Sequence, residues 1–111
     1  MRFITDYRRL NQKLIRKPYT LPRIGETMKQ LKGFHYAAAL YLNMGYYTIK
    51  LSLAIQYMTT IVTEFSKFRY NCLPMGMCAS GGIFQNKVDV LLGNIEGVKT
   101  YIDDILVLSK E

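Results

Sequence analysis

The sequence predicts an α+β fold, on three observations. Short β-rich apolar runs interleave with two stretches of helical periodicity. Two pairs of those runs are separated by only a few residues, so the chain contains antiparallel hairpins rather than a purely parallel sheet. The chain has 111 residues, 50% of them hydrophobic and nine of them tyrosine. That is one domain, able to bury about two-thirds of its unfolded surface, and not a disordered composition.

The elements read in order as follows. "RFITD" at 2–6 is a strand end, and the basic stretch from Tyr7 to Arg23, with Pro18 and Pro22, is an irregular connector. Ile24, Met28 and Leu31 recur at i, i+4 and i+7 before Gly33, which predicts an amphipathic helix over 24–32. "HYAAALYL" is a buried strand, near 36–42, that Gly45 ends. "TTIVTEFSKFRYN" is a hairpin around Ser66-Lys67, and "LPMGMCASGG" is a loop. Ile83, Phe84, Val88, Leu91, Leu92 and Ile95 share one face of a second helix, over 82–93, that Gly93-Asn94 end. "VKTYIDDILVLS" is two short apolar strands, 98–102 and 105–109, with Asp103 and Asp104 between them. There is no internal repeat and no low-complexity tract.

Several function classes are excluded or disfavoured. The most apolar window, "FHYAAALYLNMGYYTI", is 16 residues long and is broken by His35 and Asn43, so it is no membrane span. The N-terminal residues lack the apolar core of a signal peptide. Cys72 and Cys78 read as free thiols of an intracellular protein, and a single histidine disfavours zinc. The net charge is +7, and residues 1–32 carry all of the excess: nine Lys/Arg against Asp6 and Glu26. A polyanion such as nucleic acid is one reading of that segment, with Arg8, Arg9, Arg16 and Lys17 as contacts; a solvated basic face is the other.

The Asp103-Asp104 pair carries the chemistry. A two-residue strand connection ordinarily uses glycine or asparagine, because it needs positive φ. Adjacent carboxylates repel unless a cation lies between them, and Mg²⁺ suits a few carboxylates together with phosphate oxygens. An exposed polar turn explains the same two residues without chemistry.

Six blocks in order decide between these readings. "RFITDYRRLNQ", "LPRIGETMKQLKGFHY", "LYLNMGYYTIKL", "TEFSKFRYNCLPMGMCAS", "FQNKVDVLL" and "YIDDILVLS" resemble the successive motifs of reverse transcriptases of gypsy-like long-terminal-repeat retrotransposons, nearly end to end. The resemblance implies a partial fingers–palm: an antiparallel palm sheet with helices packed on one face, residues 1–35 being the fingers-side basic segment and 36–111 the palm core. It implies that thumb, connection and ribonuclease H are absent. It implies RNA-directed DNA polymerisation by two Mg²⁺ ions, with an RNA/DNA primer–template and a dNTP as partners, and with the remainder of a polyprotein if expressed in full. Asp103 matches a direct metal ligand and Asp104 its less direct companion. Arg2 matches the triphosphate-binding arginine, or is an ordinary exposed one. Met44 and Gly45 match the turn whose N–H groups face phosphates. Tyr46 matches the steric gate beneath the sugar, or is one more core aromatic. Met75 and Gly76 match the loop lining nucleotide and template. Asp6, Tyr7 and Arg8 match fold-supporting positions.

The sequence also departs from the family pattern. Where the family has L-D-L, with the Asp a metal ligand, this chain has Leu40-Tyr41-Leu42. A phenol brings no negative charge at pH 7. Leu53 and Gly81 replace expected prolines, Ser66 an expected glycine, and Ile55 and Tyr57 expected polar loop residues. Gly81, Ser66, Ile55 and Tyr57, with Tyr41, read as drift in an unselected copy. The sequence therefore predicts a catalytically dead polymerase fragment with weak or no Mg²⁺ binding. The alternative is a non-enzymatic basic nucleic-acid-binding relic, and a third reading is an α+β domain with a merely polar turn.

Overall fold

The computed structural model describes residues 2–15, 19–21, 23–29 and 31–110, excepting the side chains of Ile24 and Met28. Arg16 and Lys17, two of the expected nucleic-acid contacts, lie outside the described residues. The chain forms two compact units that interleave in sequence: Met1–Lys17 with Met44–Ser80, and Pro18–Asn43 with Gly81–Glu111.

In the first unit, residues 2–7 form no strand, and the expected connector instead begins with a helical turn, α1 (Arg8–Asn11). Asp6 starts that turn by accepting the Arg8 backbone N–H at 3.0 Å, and Asn11 N–H closes it on the Tyr7 carbonyl at 2.8 Å. Tyr7 anchors the segment. It is buried, donates its hydroxyl to the Thr59 carbonyl at 2.8 Å, and meets Tyr70 edge-on with ring centroids 6.3 Å apart. Desolvation, and then the neighbouring Tyr70, push its pKa up. A 3₁₀ turn (Gly45–Thr48) precedes α3 (Leu53–Met58), a helix where the family pattern implies a polar loop. Leu53 takes the first helical position, one that suits proline because its N–H has no intrahelical partner. The exposed Tyr57 ring carries the Arg69 guanidinium 4.5 Å from its centroid, so this departure has a packing partner.

The hairpin of β2 (Ile61–Val62) and β3 (Lys67–Phe68) is shorter than expected, and its loop is 63–66. Thr63 Oγ1 accepts the Phe65 and Ser66 N–H groups and donates to the Ser66 carbonyl at 2.9 Å. That side chain organises the turn, and Ser66 has no positive φ, so glycine is not required there.

In the second unit, β1 (Tyr36–Tyr41), β4 (Val98–Tyr101) and β5 (Asp104–Ser109) make one antiparallel sheet in the order β1-β5-β4. This is the sheet the sequence predicts. The expectation that β1 is buried is wrong: all six residues are exposed, Tyr36 at 66% and Leu40 at 56%. β1 is an edge strand, and three of its residues are alanines. Helix α2 covers Ile24–Lys29, and α4 covers Ser80–Leu92. Phe84 and Val88 of α4 are buried, as is Ile105 of β5. Thr27 and Leu31 line, with Ala39, Leu40 and Tyr101, a cavity of about 280 Å³.

Candidate functional site

Antiparallel registry builds the site. Tyr41 of β1 and Tyr101 of β4 both pair with Asp104 of β5, forming one row across the sheet. Residues in such a row have Cα atoms about 5 Å apart and project from the same face. Beyond the row, the Leu42 N–H donates to the Asp103 carbonyl at 2.8 Å, so the end of β1 is tied to the hairpin tip. Tyr41 therefore stands directly opposite Asp104 and at the hairpin end of the sheet.

The tip itself is displaced by one residue from the expected position. The two loop residues are Ile102 and Asp103, while Asp104 already belongs to β5. Ile102 has φ +51, whereas Asp103 is not in the left-handed region. Positive φ at the first loop residue alone is the pattern of a type II′ turn, which normally places glycine there. A β-branched residue rarely adopts it. Gln85 holds it: its Oε1 accepts the Ile102 N–H at 2.6 Å. Gln85 is fully buried, and its Nε2 donates to Asp89 Oδ1 at 2.8 Å and to Thr100 Oγ1 at 3.1 Å. Thr100 Oγ1 donates to the same Asp89 oxygen at 2.8 Å, and the Tyr19 hydroxyl donates to Asp89 Oδ2 at 2.5 Å. Desolvation pushes the Asp89 carboxyl up, but the hydrogen bonds from Tyr19, Thr100 and Gln85 together hold it below its ordinary value. The bond to Asp89, above all, raises the Tyr19 hydroxyl. The sequence reading missed this cluster. Its signal was two polar residues at i and i+4, Gln85 and Asp89, beside the apolar positions of α4.

The family resemblance implies a pair of divalent ions, and the residues present do not fit one. Asp103 is half-buried and Asp104 exposed, and Tyr41, half exposed, offers only a phenol. Among the described residues no three His, Cys, Asp or Glu side chains cluster as a metal site. Two ions held side by side need shared carboxylate bridges that two aspartates supply poorly.

The other expected site residues belong to the first unit. Met44 is left-handed, with φ +52, and leads into the 3₁₀ turn in which Gly45 is buried and Tyr46 half-buried. Met75 is half-buried and Gly76 exposed, with φ +98. A Cβ on Gly76 would sit 2.7 Å from the Thr5 carbonyl oxygen, so only glycine fits. Arg2 and Arg9 are exposed. Arg8 is bound to Asp6, with Nη2 2.6 Å from Oδ2.

The chain is similar to known proteins along nearly its whole length. Residues 1–111 match the family described as reverse transcriptase (RNA-dependent DNA polymerase). The chain is 30% identical over 109 residues to the retrovirus-related Pol polyprotein from transposon 412 of Drosophila melanogaster, covering 96% of this chain and 9% of that protein. It is 29% identical to the corresponding polyprotein from transposon gypsy of the same fly, over 98% of this chain and 11% of the relative. It thus spans about a tenth of the length of these relatives. The foamy viral protease–reverse transcriptase in complex with an RNA/DNA hybrid shares the fold, with a TM-score of 0.87 and 24% identity over 96% of this chain and 14% of that one. No helix among the described residues is long and apolar enough to cross a membrane. The chain belongs to the reverse transcriptase (RNA-dependent DNA polymerase) family.

Proposed function

We propose that this chain is fingers–palm sequence of a retroelement RNA-directed DNA polymerase whose polymerase site does not turn over. The observation that carries the reading is the pairing of Tyr41 with Asp104. The resemblance implies an aspartate at position 41, where it would share metal with Asp103 and Asp104. A phenol in that row removes a negative charge from a site that must hold divalent cations next to a triphosphate. Each ~1.4 kcal/mol of lost transition-state stabilisation is a tenfold loss of rate, and a metal ligand contributes several kcal/mol. On this reading Mg²⁺ binds weakly or not at all. Residues 1–35 are the fingers-side segment and 36–111 the palm core. Arg2, Met44, Gly45, Tyr46, Met75 and Gly76 are the inherited nucleotide-side positions.

Grafting the segment into a complete family polymerase tests this by primer extension on an RNA template. With Tyr41 retained the graft is inactive, and with Tyr41→Asp it recovers activity. Extension by a graft that keeps Tyr41 refutes the dead site.

A second reading has its own support. Arg9, Lys13, Arg23, Lys29 and Lys32 are all exposed, in a segment that holds the whole +7 excess. The chain then retains nucleic-acid binding without catalysis, and the solved relative's RNA/DNA hybrid suggests the kind of partner.

A further inference from the structure

We infer that Asp89 is a positioning residue for the β4–β5 tip: by accepting from both Gln85 and Thr100 it fixes which way the Gln85 amide faces, and thereby holds the turn that carries Asp103. The argument is one of donors and acceptors. The Gln85 amide has one oxygen and one NH₂ group, and flipping it exchanges them. In the observed orientation the NH₂ group meets two acceptors, Asp89 Oδ1 and Thr100 Oγ1, and the oxygen meets the Ile102 N–H. Flipped, the NH₂ group would face an N–H donor, and the amide oxygen would face a carboxylate. The Thr100 hydroxyl gives its only proton to Asp89, so its oxygen is left as an acceptor for Gln85. Asp89 is thus the element that breaks the symmetry. Tyr19 secures its other oxygen, Oδ2, which leaves Oδ1 aimed at Gln85 and Thr100.

The site matters because the held N–H belongs to Ile102, a β-branched residue at φ +51. Without Gln85 the turn has a strained residue and a part-buried donor lacking its acceptor, and it relaxes. Asp103 follows Ile102 directly, and Asp104 pairs with Tyr41 and Tyr101, so a relaxed turn misplaces both carboxylates. That last consequence rests on the polymerase reading, whereas the fixing of the Ile102 N–H does not.

The test is amide hydrogen exchange by NMR on the full chain labelled with ¹⁵N. Asp89→Ala should speed exchange at Ile102 about tenfold beyond any change at the interior amides of α4 and β5, the size of one net hydrogen bond. Asp89→Asn should restore protection, because its Oδ1 still accepts from Gln85 and Thr100. If Asp89→Ala does not fold, Thr100→Val serves, removing the two bonds that the Thr100 hydroxyl makes in the cluster and speeding Ile102 exchange severalfold. Exchange at Ile102 that merely follows the interior amides, or Asp89→Asn as fast as Asp89→Ala, overturns the inference. Primer extension by a graft that keeps Tyr41 would instead overturn the dead-site reading and leave the Ile102 result standing.

Discussion

Asn11 clasps the loop that contains Gly76: its Nδ2 donates to the Gly76 carbonyl at 3.0 Å, and its Oδ1 accepts the Cys78 N–H at 2.9 Å. The asparagine of the "YRRLN" block thereby braces the "LPMG" loop, 65 residues on. Two side chain–backbone bonds contribute about 1–3 kcal/mol together. Asn11→Ala should lower unfolding stability by that amount in urea titration followed by tyrosine fluorescence. Asn11→Asp, which keeps the acceptor and loses the donor, should lose about half as much.

Gly76 and Gly25 should respond to alanine with opposite signs. Gly76 has φ +98 and a carbonyl oxygen where its Cβ would lie, so Gly76→Ala should cost about 2 kcal/mol or more. Gly25 lies in α2 with nothing within 4 Å of its Cβ position. Gly25→Ala should stabilise by about 0.5–1 kcal/mol, chiefly by narrowing the unfolded ensemble. Denaturation midpoints of the two variants, measured side by side, check both signs.

Asp6 should titrate far below an ordinary aspartate. The Arg8 side chain, hydrogen-bonded to both of its oxygens, holds its pKa at about 2. A depressed folded pKa gives stability that is fully present above the unfolded value, about 3.9, and is lost as pH falls through the folded one. The window for Asp6 is therefore about pH 4 down to about 2. Both partners are well exposed, so solvent screening keeps the effect on stability small, and the carboxyl ¹³C shift is the better readout. Arg8→Ala should return the midpoint towards about 4, the ordinary aspartate range.

Much of the second unit was legible in the sequence. Apolar runs on either side of Asp103-Asp104 and the order of the six blocks were enough for the β1-β5-β4 sheet and for the closeness of Tyr41 to the tip. Local patterning failed where a distant contact decides. The tip slipped by one residue because Gln85, 17 positions away, stabilises a positive φ at Ile102 that no turn preference would assign to isoleucine. β1 misled because an apolar run on an edge strand looks the same as one in a sheet interior. Helix α3 was missed because the family pattern suggested a polar loop, although Ser52 and the following six residues offer a plain helix start. Among the expected site residues, Tyr41 and Asp104 are brought into one row, while Arg8 turns out to be occupied by Asp6.

Binding of nucleic acid should separate Arg9 from its neighbour Arg8. Both stand in the basic segment, and a count of charges treats them alike. Their surroundings differ: Asp6 already neutralises Arg8 through three side-chain bonds, while Arg9 is exposed. Each phosphate neutralised releases condensed counterions, which contributes about −0.9 to the slope of log K against log salt on duplex DNA and about −0.7 on single strands. Arg9→Ala should therefore flatten the slope by up to about one such increment and weaken binding at low salt. Arg8→Ala should change it less, because it removes a cation and frees the Asp6 carboxylate in a place that was close to neutral before. Asp6→Asn then gives the opposite result: it releases Arg8 and should steepen the slope. Fluorescence anisotropy with a labelled RNA/DNA hybrid, at several salt concentrations, measures all three. Equal losses from Arg8→Ala and Arg9→Ala would show that the Asp6–Arg8 pair opens on binding. A slope unmoved by any of the three would remove this stretch of the basic segment from the interface.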